Sequence, residues 1–113
     1  MEDVLIIRAD GTEESHSIPS FDEDYAGYRK ALVELLKFDD FDLAPLTDGR
    51  TMYVDGNGWQ TERVTRPGYV GLIPVRPNKP YNRKATELYW ASSGTTHQIV
   101  GDVAIVKEHE EKF

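Results

Sequence analysis

Ile99-Val100-Gly101-Asp102-Val103-Ala104-Ile105-Val106 is the stretch on which the fold reading rests. Its apolar residues fall on successive positions, so both sides of the strand they form must be covered, and it reads as a central, buried strand. Gly101 within it marks a bulge or a close backbone approach. Upstream, Asn82 is a suitable N-cap for a helix running through Ala85, Leu88 and Tyr89 to Trp90, which Ser92-Ser93-Gly94 stops. A buried strand following a half-apolar helix is the kernel of a layered domain.

Working outward, Val4 to Arg8 is a β-branched strand. The turn pair Asp10-Gly11 leads it into a short polar strand from Ser15 to Ile18, giving an opening hairpin. Ser20 and Glu23 have capping-box spacing for a helix beginning near Phe21, whose apolar face is Tyr25, Tyr28, Leu32, Leu35 and Leu36. Phe38 to Leu43 alternates apolar with acidic residues, as a half-exposed strand or acidic surface loop, and Pro45 ends it. Thr51 to Val54 is a strand, and Asp55-Gly56-Asn57-Gly58 is a turn that leads to a partner strand near Trp59 to Val64. Arg66 to Pro80 holds four prolines and two glycines around the apolar group Tyr69 to Val75, and reads as an irregular connection. The tail Lys107 to Phe113 is expected to fray. The expected architecture is a single α+β domain over residues 1–113: a small mixed or antiparallel sheet of about five to six strands, packed with two helices.

Composition narrows the function classes. The chain has 113 residues and no cysteine, which removes disulfides, thiolate nucleophiles and thiolate metal cages and suits a reducing, cytoplasmic setting. The acidic start Met1-Glu2-Asp3 lacks the basic flank of a signal peptide, and no stretch has the length of a bilayer span. A net charge of -7 argues against direct binding of nucleic acid or anionic membrane. The average conceals an asymmetry: Arg63 to Thr86 has no acid and six cations, so subtracting +6 from -7 leaves -13 on the rest of the chain.

No constellation nominates an active site, and the chain reads as a non-enzyme that needs no cofactor. His16, His97 and His109 fall at no metal-pair spacing. Asp55-Gly56-Asn57-Gly58 departs from a calcium loop because Gln60 stands where such a loop needs glycine. Ser92 or Ser93 with His97 lacks the glycine-flanked elbow of a serine nucleophile, and a helix stop explains the same residues.

The basic segment asks for a functional account. Arg63, Arg66, Arg76, Lys79, Arg83 and Lys84 are interleaved with Tyr69 and Tyr81, and the last two cations lie in a helix's first turn, where they oppose the macrodipole. Free N–H groups there, with Asn82 as cap, would suit a phosphate. The expected ligand-binding set is therefore Arg63, Arg66, Arg76, Lys79, Tyr81, Asn82, Arg83 and Lys84, taking a nucleotide or other phosphorylated small molecule on which Tyr69 or Tyr81 could stack. The bland alternative is that the cations balance acids elsewhere on the surface. A different class of reading gives the work to Asp22, Glu23, Asp24, Asp39, Asp40 and Asp42, with Glu13 and Glu14, as the acidic face of an inhibitor or adaptor that docks on a host protein and imitates nucleic acid. Self-association is compatible with either.

Two runs also resemble a family. Pro80-Tyr81-Asn82-Arg83-Lys84-Ala85-Thr86-Glu87-Leu88-Tyr89-Trp90, followed by the Val-Gly-Asp strand from Ile99 to Val106, is similar to an uncharacterised domain of unknown function found in small bacteriophage and mobile-element proteins. Tyr53-Val54-Asp55 sits where members carry a similar hairpin. The resemblance covers about half of the chain, and Gln60 to Lys79 departs from it as a long insertion holding most of the cations. It implies a phage setting and a counter-defence role in the host cytoplasm, and it brings no catalytic residues.

Overall fold

The computed structural model describes residues 1–93 and 98–107. The expected fraying tail beyond Lys107, His109, and the Ser93 and His97 pairing lie outside the described residues or side chains. The elements are β1 (Glu2–Ile7), β2 (Glu13–Ile18), α1 (Tyr25–Leu36), β3 (Phe41–Pro45), β4 (Arg50–Asp55), β5 (Trp59–Arg66), β6 (Tyr69–Pro77), α2 (Arg83–Ser93) and β7 (Val103–Lys107). Five strands form one sheet in the order β2-β1-β7-β4-β3, and every neighbouring pair is antiparallel. The other two, β5 and β6, pair with each other. The α+β expectation holds, with two helices and an antiparallel sheet.

The helices cover opposite faces of the sheet. Val4 and Ile6 of β1 and Ala104 and Val106 of β7 meet Tyr28, Leu32 and Leu36 of α1. The alternate residues Ile7, Val103 and Ile105, with Met52 of β4, form a second cluster with Ala85, and Leu88 and Tyr89 of α2 pack against it. Strand side chains alternate between faces, so strands at the centre of such a sandwich must be apolar at every position. That is why Val4–Ile7 of β1 and Val103–Val106 of β7 read as unbroken apolar runs.

Three local readings change. First, α1 begins at Tyr25: Asp24 caps it by accepting the Gly27 N–H at 3.0 Å, while the Asp24 N–H donates to the Ser20 carbonyl across a turn. Second, the Asp55–Gly58 turn does not fold β4 against β5. The central position beside β4 is taken by β7 and the outer one by β3, so β5 has no place in the main sheet. Third, the proline-rich stretch expected to be irregular contains β6. An arm of two strands has free edges on both sides, and an edge tolerates the missing N–H groups of Pro74 and Pro77.

Asn82 closes the domain. It is 0% exposed. Its Nδ2 donates to the carbonyls of Ile7 (3.0 Å) and Gly101 (2.8 Å), its Oδ1 accepts the Ala85 N–H (3.1 Å), and its own backbone N–H donates to the Ile99 carbonyl (2.9 Å). One turn on, the buried Thr86 Oγ1 accepts the Ile99 N–H at 2.9 Å. Gly101 has a φ of +77°, and a Cβ there would meet Lys79 Cδ at 2.9 Å. What comes close to the α-carbon of this glycine is the Lys79 side chain, where a backbone approach was expected.

Replacing Asn82 by Ala removes a cap worth about 1 kcal/mol and leaves two enclosed carbonyls without their donor, at about 1 kcal/mol or more each, so a loss of about 3 kcal/mol is expected in urea unfolding. Asn82→Asp keeps the cap but turns an oxygen toward both carbonyls, and should cost no less. A wild-type midpoint for Asn82→Asp would show that the two donated bonds do not matter.

Candidate functional site

The residues of the basic segment do not converge. Arg63, Arg66 and Arg76 lie on the β5–β6 arm and are exposed. Arg63 and Arg66 are three positions apart on one strand, so they project from opposite faces. Lys79 forms an ion pair with the buried Asp55 carboxylate and lies 4.1 Å from the centroid of the Phe38 ring. Arg83 pairs with Glu87 one turn along α2 (3.0 Å), and Lys84 reaches Glu13 on β2 (3.2 Å). Tyr81 is exposed and makes a backbone bridge to Val100. Asn82, expected to help hold phosphate, has both ends of its side-chain amide committed inside the protein. Its place in the expected ligand set gives way to a structural role, because a side chain with no exposed surface cannot meet a solvent-borne anion.

The acidic residues are also dispersed. Asp22 and Glu23 precede α1, and Asp39 and Asp40 lie between α1 and β3, where the Asp40 carboxylate accepts from Asn57 Nδ2 at 2.9 Å. Asp42 sits one position from Phe41 and so takes the other face of β3. Glu13 and Glu14 are neighbours on β2 and point to opposite faces, one toward Lys84 and the other toward Arg8. Between the two acidic groups on the α1 side runs an aromatic band: Phe21 packs edge-on against Tyr28 (5.4 Å), Tyr28 meets Tyr53 (6.3 Å), and Tyr53 stacks with Phe41 (5.7 Å).

What the tertiary structure gathers in one place is the arm itself. Trp59–Arg66 and Tyr69–Pro77 pair over their whole lengths, with Val75 as the extra residue of a bulge, around a Pro67-Gly68 turn in which Gly68 has a φ of +80°. A strand of eight residues spans about 26 Å at roughly 3.3 Å per residue. The radius of gyration is 15.2 Å, against about 13 Å for a compact domain of this length. Tyr69, Val70, Leu72, Ile73 and Val75 are all exposed, Leu72 at 67%. Single exposed apolar residues are ordinary, but five on one nine-residue strand are not: alternation puts Tyr69 and Ile73 on one face of the arm and Val70 and Leu72 on the other, so both faces carry uncovered apolar side chains of the kind that mark an interaction surface. The sequence reading missed this because it weighed the cations and not the apolar residues between them. The available signal was Val64-Thr65-Arg66-Pro67-Gly68-Tyr69-Val70, a Pro-Gly turn between two β-forming ends.

No protein-family model, curated protein or solved structure matches this chain. Among the described residues, no helix is long and apolar enough to cross a membrane.

Away from the arm, a polar cluster is centred on Arg8. Its Nε and Nη2 donate to both oxygens of Glu14 (2.8 and 3.1 Å), while Nη1 donates to Asp102 (3.0 Å) and to the Leu35 carbonyl (2.8 Å). Asp102 also accepts the Ala9 N–H at 2.9 Å. These bonds tie β1, β2, α1 and the entry to β7 together. The Arg8 bonds, and then the one to His16, lower the Glu14 carboxyl from 4.5 to about 2. Because its folded value lies below its unfolded one, Glu14 contributes stability that is complete above pH 4.5 and lost as the pH falls through about 2. Carboxyl NMR should place the Glu14 midpoint near 2, and Arg8→Gln should return it toward 4.5.

Proposed function

We propose that this chain is a non-enzymatic binding protein that engages a macromolecular partner through its β5–β6 arm. The observation that carries the reading is the arm: two strands paired only with each other, projecting from a three-layer body, with exposed apolar side chains on both faces and three arginines. A two-stranded hairpin is at best marginally stable in water by itself, so a partner that covers it would also complete it. Its chemistry suits a protein surface, with apolar anchors for the centre of a contact and arginines for its rim.

Capture of a small phosphorylated ligand has less support, since it needs the cations at one point, and three of the six already pair with carboxylates. Mimicry of nucleic acid would need one continuous acidic face, and the acids are spread over both sides of the sheet. The resemblance to phage proteins supports a setting in which the partner is a host protein, with the role of an adaptor or counter-defence inhibitor in the host cytoplasm.

Excising Gln60–Arg76 and joining Trp59 to Pro77 through Asn-Gly is the test. The arm buries little against the body, so the melting temperature should stay within about 4 °C of wild type, the equivalent of less than about 1 kcal/mol. Binding to any protein partner captured by the intact chain should be lost. Retained capture by the excised chain would refute the assignment, and a nucleotide-induced rise in melting temperature that survives excision would restore the small-ligand reading.

A further inference from the structure

We infer that the arm's partner includes a second copy of this chain, joined to it through the outer edge of β5 in a two-fold, four-stranded sheet β6-β5-β5-β6. The inference rests on the reading of the arm as the contact element. It commits to an edge, a register and an occupant.

The edge is fixed by which strand can donate. A residue pair flanking a two-residue turn exchanges both its hydrogen bonds, and the pattern then alternates along an antiparallel ladder. Arg66↔Tyr69 is such a flanking pair, so Val64↔Gly71 and Glu62↔Ile73 also bond inward. Thr65, Arg63 and Thr61 then point their N–H and carbonyl groups outward. Pro74 checks this phase: it pairs with Thr61, at a position whose N–H would face away from β5, where proline costs no bond within the arm. The outer edge of β6 is thus blunted by Pro74 and ends in Pro77. The outer edge of β5 has eight residues with no proline and no glycine, and offers a row of groups ready to pair.

The register is fixed by symmetry and charge. Two copies of one strand, paired antiparallel about a two-fold axis normal to the sheet, can oppose only residues of equal parity, because the axis keeps each face on its own side. Centring on Arg63 or on Glu62 would oppose like charges. Centring on Val64 places Val64 against Val64 and Glu62 against Arg66 of the other copy, twice, while Arg63 and Thr65 exchange the hydrogen bonds. Glu62 and Arg66 then form non-hydrogen-bonded pairs, in which side chains approach most closely. Within one copy neither residue faces an opposite charge, since their partners on β6 are Ile73 and Tyr69.

The occupant is fixed by the distribution of charge. The arm carries Arg63, Arg66 and Arg76 against Glu62, a net +2, so the remainder of the chain is -7 minus +2, or -9. Two such bodies repel on close approach. Pairing centred on Val64 separates the roots of the two arms by about 33 Å at roughly 3.3 Å per residue, several times the screening length of about 8 Å at physiological salt. The arms therefore meet while the acidic bodies stay apart. The product has four strands, enough for a free-standing sheet, and its only outer edges are the two proline-bearing ones.

Sedimentation velocity on the full chain, run over a concentration series at physiological salt, is the experiment. Wild type is expected to dimerise. Glu62→Arg and Arg66→Glu, each alone, should weaken the dimer by about tenfold, since each turns two cross-strand attractions into repulsions. The double variant should restore the wild-type constant. Thr65→Pro, which removes an outward N–H and leaves the β5–β6 pairs intact, should give a monomer with unchanged circular dichroism. A wild type that stays monomeric at hundreds of micromolar overturns the inference, as does a dimer that survives excision of the arm or ignores both charge reversals. If wild type is monomeric yet arm-dependent capture of another protein persists, this inference fails alone; if capture also ignores the arm, the function reading fails with it.

Discussion

The constraint on which the rest of the structure depends is the burial of one primary amide. Asn82 joins the end of β1 through the Ile7 carbonyl, the entry to β7 through the Gly101 carbonyl, and the first turn of α2 through the Ala85 N–H. An amide is suited to this because it donates twice and accepts at the same point without carrying charge, so it can be enclosed at low cost once every bond is made. With those bonds fixed, α2 can lie only on the face that Ile7, Met52, Val103 and Ile105 present. The opposite face is left to α1.

The same hub gives physical content to the run from Pro80 to Trp90 and the strand that follows it. Asn82 is the clasp, Ala85 is small because it lies flat against the sheet, and Thr86 bonds the backbone at Ile99. Gly101 has the positive φ and the bare α-carbon that Lys79 crowds. Asp102 accepts from Arg8 and from the Ala9 N–H. A pattern of this kind specifies a fold, and another chain could use it for a different activity. The hub does not reach the segment between β4 and α2, on which the proposed function rests.

That segment forms an arm because the main sheet has no room for it. β4 is flanked by β3 and β7, so the chain leaving Asp55 turns out of the sheet and returns only at Lys79, whose ammonium bonds Asp55 at the root. The cations of the segment thereby divide between two tasks. Lys79, Arg83 and Lys84 neutralise nearby acids, and Arg63, Arg66 and Arg76 are carried away from the body on strands that bury little.

The sequence by itself determined the layered α+β class, the presence of a central last strand (read over Ile99–Val106, but formed only from Val103 to Lys107), the opening hairpin, both helices and the capping role of Asn82, because periodicity and turn chemistry are local properties. It could not tell that Asn82, Arg83 and Lys84 would serve different purposes, since neighbours in a chain can face a core, a solvent and another strand. The start of α1 was misplaced for a related reason: capping-box spacing pointed to Ser20, whereas Asp24 is the cap, and the packing of Phe21 against Tyr25 and Tyr28 goes with the later start. Strand partners are the clearest case of what only the tertiary structure decided. Thr51–Val54 and Trp59–Val64 stand on either side of a strong turn, yet β4 joins β7, some fifty residues away, because the two-sided core needs another apolar strand at that place and the polar β5 cannot supply one.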